Sequence, residues 1–183
     1  MKRATSPAKF SFSLFVFLSI ASVVYAQTTP EAFLGFKVGA DKKLADFNQI
    51  KAYFEKLAQE SPKLKLFTIG TSTLKKPMIM AVITSDENMV KLDRYREIVK
   101  KLRDPRSLSA EDAKKLAREG KSIVLITCSL HATEVAASQM SMELAYNLVT
   151  GKTSFDAKKV LNDVIVLLCP SHNPDGNQMV IDW

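Results

Sequence analysis

Cysteine and histidine are both scarce in this chain: of 183 residues, two are Cys (Cys128 and Cys169) and two are His (His131 and His172). Two cysteines are too few for a disulfide scaffold. A long hydrophobic run is missing as well. The longest, Phe10 to Val24, is interrupted by serines and is shorter than the ~20 residues a membrane-spanning helix needs. No internal repeat or low-complexity stretch follows it. There is no acidic excess either, since 26 Lys and Arg stand against 19 Asp and Glu, a net charge of +7. The cations are dispersed along the chain, which excludes a nucleic-acid patch. What is present, 46% hydrophobic and 25% charged residues, is the composition of a soluble globular protein.

The first 26 residues read as a signal peptide. Lys2, Arg3 and Lys9 form a basic leader, the apolar run follows, and Val24-Tyr25-Ala26 offers small residues at the cleavage positions. Cleavage is expected between Ala26 and Gln27, with export to a periplasmic or extracellular compartment and no stable membrane anchor. Removing three cations lowers the net charge from +7 to +4. The remaining 157 residues suffice for one domain with a real core. Residues 27–40 are expected to be an irregular lead-in, and residues 41–183 the domain. Export permits a disulfide between Cys128 and Cys169. The preferred reading is two buried thiols packed as small hydrophobes.

Along the domain, Asp46 with Gln49 resembles a capping box, and Phe47, Ile50, Phe54 and Leu57 recur at helical spacing as far as Ser61-Pro62. Leu64 to Ile69 and Met78 to Thr84 read as strands of an antiparallel hairpin. A helix with Leu92, Tyr95, Val99 and Leu102 on one stripe comes next. A charge-rich surface helix then runs from Ser109 to Gly120. Ile123 to Thr127 reads as a buried strand. A helix from about Glu134 to Val149 follows, with Ala137, Met140, Leu144 and Leu148 facing the core and Gly151 closing it. Asp163 to Leu168 is a further apolar strand. Strand, helix, strand with fully apolar strands predicts a right-handed crossover in a parallel sheet covered on both faces.

The chemistry gathers where such sheets bind ligands, outside the carboxyl ends of the strands. The stretch Ile123-Val-Leu-Ile-Thr-Cys-Ser-Leu-His-Ala-Thr-Glu134 places His131 and Glu134 three positions apart after the first of these strands. Imidazole nitrogen and carboxylate oxygen are both zinc ligands, and two of them leave room for a third protein ligand and a water. Spacing alone also suits a loop His beside a helix-opening Glu that favours the positive end of the dipole. The second strand runs into Cys169-Pro-Ser-His-Asn-Pro-Asp-Gly176, and this turn falls at the same sheet end.

With these two motifs the chain resembles the zinc carboxypeptidases, the carboxypeptidase A-like metallopeptidases. His131-Ala-Thr-Glu134 matches the family's first metal motif, and Asn173-Pro174-Asp175-Gly176 its next landmark, in the family's order and spacing; the resemblance covers most of Asp41 to Trp183. It implies an α/β fold with a mixed, mostly parallel, twisted sheet between helices, of about eight strands in the family and incomplete in this chain. It also implies metallocarboxypeptidase activity on a peptide or protein substrate near its C-terminus. His131 and Glu134 would hold one Zn2+, and Asn173, Asp175 and Gly176 would shape the pocket wall without binding metal.

The chain departs from the family in two respects. The family has a Gly-rich approach to the metal His, whereas Cys128-Ser129-Leu130 stands here. The third zinc His, the substrate-carboxylate Arg and the general-base Glu lie well downstream in the family, so no catalytic residue is expected in this chain. Either a fragment of a longer product or a truncated, inactive relative is expected. His172 sits in the turn beside the site, but the family's third ligand comes from a later strand, and His172 is read as a rim residue. Two other functions share the features so far: an amidohydrolase or deacylase of the same fold, and a non-catalytic secreted binding module.

Overall fold

The structure is a computed structural model that describes residues 26–183; the expected leader, residues 1–25 of it, lies outside the described residues. No helix among the described residues is long and apolar enough to cross a membrane.

The lead-in is less irregular than its sequence suggests. It holds a five-residue helix, α1 (Pro30–Leu34), capped by the Thr29 hydroxyl and ended by Gly35 at φ 76. Five residues are too few to show a period. What holds α1 is contact with the next helix: Phe33 meets Tyr53 edge-on at 5.4 Å, and the Thr28 backbone N–H donates to the Glu60 carboxylate at 2.7 Å. That next helix, α2 (Phe47–Glu60), starts at the foreseen capping box, where Asp46 accepts from the Gln49 N–H and Gln49 accepts from the Asp46 N–H. It buries Phe47, Ile50, Phe54 and Leu57 as its spacing requires, and Tyr53 with them.

Strands β1 (Leu64–Thr71) and β2 (Pro77–Ile83) form the expected antiparallel hairpin, with a register shift between Thr68 and Gly70. Three helices follow: α3 (Asp86–Met89), α4 (Leu92–Arg103) and α5 (Ala110–Glu119). Then come β3 (Ser122–Thr127), α6 (Val135–Thr150), α7 (Ala157–Asp163), β4 (Val164–Cys169) and α8 (Pro174–Asp182). The sheet order is β1-β2-β4-β3, so the chain crosses from β3 over α6 and α7 to lie parallel to its neighbour β4. The sheet is mixed, as expected; among the described strands β3–β4 is the parallel pair, and β1–β2 and β2–β4 are antiparallel.

Strand alternation divides the core into two layers. Ile79, Ala81 and Ile83 of β2 and Val166 and Leu168 of β4 pack with α2 and α6 on one face. Val82 and Ile165, with Met80 and Leu167, pack against Tyr95 and Ile98 of α4 and Leu116 of α5 on the other. The result is an α/β/α sandwich, stabilised at roughly 25 cal/mol per Å² of apolar surface it removes from water. Both cysteines are buried as free thiols, and burial pushes the pKa of each up.

Three expectations change. On α4 the core position belongs to Ile98 rather than Val99, which is exposed. On α6 Met140 is 43% exposed and Met142 is fully buried, because that helix turns a partly polar face of Ser138, Gln139 and Ser141 inward. Lastly, β3 is not covered: Ile123, Val124 and Leu125 are all exposed, since β3 is an edge strand of the described sheet.

Candidate functional site

The site is built on the segment between β3 and α6, at the carboxyl end of the parallel pair. The strand ladder reaches its last rung when Cys128 N–H donates to the Cys169 carbonyl at 2.9 Å. There the backbone turns sharply, for Ser129 adopts φ 52. This is the left-handed region, which a residue with a side chain seldom occupies. The turn is tied to the segment after β4 by two backbone bonds, His172 N–H to the Cys128 carbonyl at 2.8 Å and Asn173 N–H to the Ser129 carbonyl at 3.1 Å. The two sequence motifs are thereby held side by side.

Within this frame His131 and Glu134 face each other. Imidazole Nδ1 lies 2.7 Å from Glu134 Oε1, and the His131 backbone N–H donates to Glu134 Oε2 at 3.0 Å. Both side chains are open to solvent, 73% and 46% exposed respectively. Glu134 is the N-cap residue of α6, yet its carboxylate does not cap the helix; it turns back to His131 instead. The hydrogen bond from the His131 ring, and next the one from the His131 backbone, hold this carboxyl below the ordinary glutamate range. It is therefore ionised at neutral pH, the form in which a carboxylate binds a metal.

These donors fit zinc in kind. An imidazole nitrogen and a carboxylate oxygen, hydrogen-bonded to each other, share one exposed spot, and both belong to the ligand types that ion accepts once the proton between them is released. The set is partial: among the described residues no group of three His, Cys, Asp or Glu side chains gathers to hold a metal. His172 contributes a backbone bond to the turn, and its residue is exposed.

The Asn173-Pro174-Asp175-Gly176 segment is not a free turn but the start of α8. Asn173 is the N-cap, its side chain accepting from the Gly176 N–H at 2.9 Å, and Pro174 takes the first helical position, where no N–H is needed. Gly176 is required by contact with the loop that carries His131. A Cβ there would stand 2.8 Å from Ala132 Cβ and 2.6 Å from Asn173 Nδ2. Asp175 reaches the other way, accepting from the Ser72 hydroxyl at 2.7 Å and the Leu74 N–H at 3.0 Å, so it fastens the β1–β2 turn to the site.

Sequence reading missed one part of this arrangement, a buried chain of serines. Ser138 Oγ donates to Ser129 Oγ at 2.6 Å, and Ser129 Oγ donates to the Glu134 carbonyl at 2.7 Å. Ser141 Oγ donates to the Ser138 carbonyl at 2.6 Å. The small polar residue where β3 ends was visible, but nothing in the order of residues connects it to positions on α6.

A profile of the zinc carboxypeptidase family matches residues 50–182, well over half of the chain. Among solved structures, thrombin activatable fibrinolysis inhibitor superposes with a TM-score of 0.55 at 15% identity, over 84% of this chain and 32% of that one. Carboxypeptidase A from Helicoverpa armigera gives 0.51 at 18% identity, over 80% and 31%. Bovine thrombin-activatable fibrinolysis inhibitor, in complex with tick carboxypeptidase inhibitor, gives 0.50 at 16% identity, over 75% and 34%. At such identities the likeness is one of fold. The chain spans about a third of the length of these structures. No curated protein sequence matches it. The matched profile decides the family: this chain belongs to the zinc carboxypeptidases.

Proposed function

We propose that this chain carries the first part of the metal centre of an exported zinc metallocarboxypeptidase, a hydrolase of peptide bonds near the C-terminus of a peptide or protein substrate. The observation that carries this reading is the convergence of His131 Nδ1 and Glu134 Oε1, 2.7 Å apart, at the carboxyl end of a sheet strand. Family membership supports it, and so does the leader of residues 1–26, which directs the protein to the periplasm or the outside of the cell. His131 and Glu134 are two of the protein ligands to one Zn2+. When bound, that ion supplies a Lewis acid and an activated water. Glu134 also fixes the turn in which His131 stands, through the His131 backbone N–H. Asn173, Asp175 and Gly176 form the adjoining wall, close enough to Ala132 that no side chain fits at position 176.

The test is metal content and hydrolysis by the full-length protein, using peptides with free and with amidated C-termini. His131→Ala and Glu134→Ala are each expected to lower zinc affinity and turnover by more than the roughly 10–100-fold that loss of an outer-shell partner costs. His172→Ala is expected to leave zinc content nearly unchanged. Zinc kept by His131→Ala, or lost by His172→Ala, would overturn the ligand assignment. Equal cleavage of amidated peptides would point to an amidase of the same fold.

A further inference from the structure

The serine chain beneath the metal loop is unusual for its position. Ser129 has φ 52, a backbone region that suits glycine and disfavours a residue with a side chain. A chain that places serine there keeps the strain, so the hydroxyl must be worth something that glycine could not supply. Its contacts indicate what. Ser129 is buried, 3% exposed, and its hydroxyl is used twice, accepting from Ser138 and donating to the Glu134 carbonyl. Glu134 has no side-chain cap for its helix, and its backbone is tied to the preceding turn at two points, its N–H donating to the His131 carbonyl at 3.1 Å and its carbonyl accepting from the Ser129 hydroxyl. The Ser129 hydroxyl is the side-chain bond that joins the two ends of the turn from 129 to 134, and the exposed pair spans its second half.

We propose that Ser129 is a positioning residue for the His131–Glu134 pair. Its hydroxyl, oriented by Ser138, holds the Glu134 backbone at the angle from which the carboxylate meets both the His131 backbone N–H and the imidazole. Ser138 is itself fixed because its carbonyl accepts from Ser141, both residues being fully buried. This inference rests on the reading of His131 and Glu134 as zinc ligands, but its geometric half concerns the metal-free protein.

The experiment uses the full-length protein with Ser129→Gly, Ser129→Ala and Ser138→Ala. Three quantities are read: zinc affinity by competition with a chromogenic chelator, the 15N shifts of the His131 ring in zinc-free protein, and the denaturation midpoint. Ser129→Gly is the decisive variant, since it relieves the backbone at φ 52 while deleting the hydroxyl. A purely structural serine would leave its zinc affinity unchanged. The expected result is about tenfold weaker zinc binding, at the lower end of outer-shell losses. The His131 ring signal should move towards that of a free imidazole in all three variants, with Ser129→Gly as stable as the parent. An unmoved ring signal together with parental zinc affinity in Ser129→Gly and Ser138→Ala would overturn the proposal. The ring signal is read without metal, so failure of the zinc reading would show in His131→Ala while this test still reported on Ser129.

Discussion

Asp175 is a surface carboxylate that joins two loops a hundred residues apart in sequence. Its environment has opposing effects: partial burial raises its pKa, while the Leu74 N–H, the Ser72 hydroxyl and the nearby Lys76 lower it, and the net direction is down from 3.8. A depressed folded-state pKa means stability that is present above the unfolded value and lost as pH falls through the folded one. Asp175→Asn is therefore expected to destabilise the protein at pH 7, and the gap to the parent should narrow as pH drops below about 4. Urea denaturation at a series of pH values checks this; a gap independent of pH would contradict it. Asp175, like His131 and Glu134, is singled out in the sequence by the resemblance of its motif to the family's, since spacing alone also suits a plain turn or a helix-opening Glu. Ser129 is not. Its role depends on one backbone angle and on Ser138, nine positions away on another element. Met140 misled for a related reason: hydrophobic periodicity assigns the inner face to apolar residues, whereas α6 buries Ser138, Gln139 and Ser141 and satisfies them with hydrogen bonds.

At the scale of elements, the legible ones carry local signals. The Asp46–Gln49 box starts α2 where expected, and the charge-free strand β2 pairs with β1 in the expected sense. β4 is buried on both faces as its unbroken apolar run requires, but β3, with the same kind of run, is open. Composition cannot separate a central strand from an edge strand, because that depends on what pairs with it. The two edges of the sheet also differ. β1 carries Lys65 and a register shift, features that discourage pairing with another strand. β3 presents Ile123, Val124 and Leu125 with no charge, Leu125 being 62% exposed. Residues 27–183 expressed alone are accordingly expected to self-associate through β3, and Leu125→Lys should shift the population towards monomer. Light scattering coupled to size exclusion, over a range of concentrations, reads this directly. Association unaffected by Leu125→Lys would place the contact elsewhere.

At the scale of the molecule, the crossover from β3 to β4 brings two motifs some forty residues apart to one end of the sheet, and two backbone hydrogen bonds lock them there. The α/β class followed from the strand–helix–strand pattern. The mixed sheet was expected from the family's fold, and it arises because the hairpin adds β2 antiparallel to β4. The central claim is that His131 and Glu134 are metal ligands, and it reduces to where zinc sits. Anomalous scattering at the zinc absorption edge, from crystals of the full-length protein grown with zinc, locates the ion without recourse to activity. The expected result is one peak about 2.0–2.2 Å from His131 Nδ1 and from the Glu134 carboxylate, absent in His131→Ala. A peak bound elsewhere, or one that persists in His131→Ala, would contradict the account.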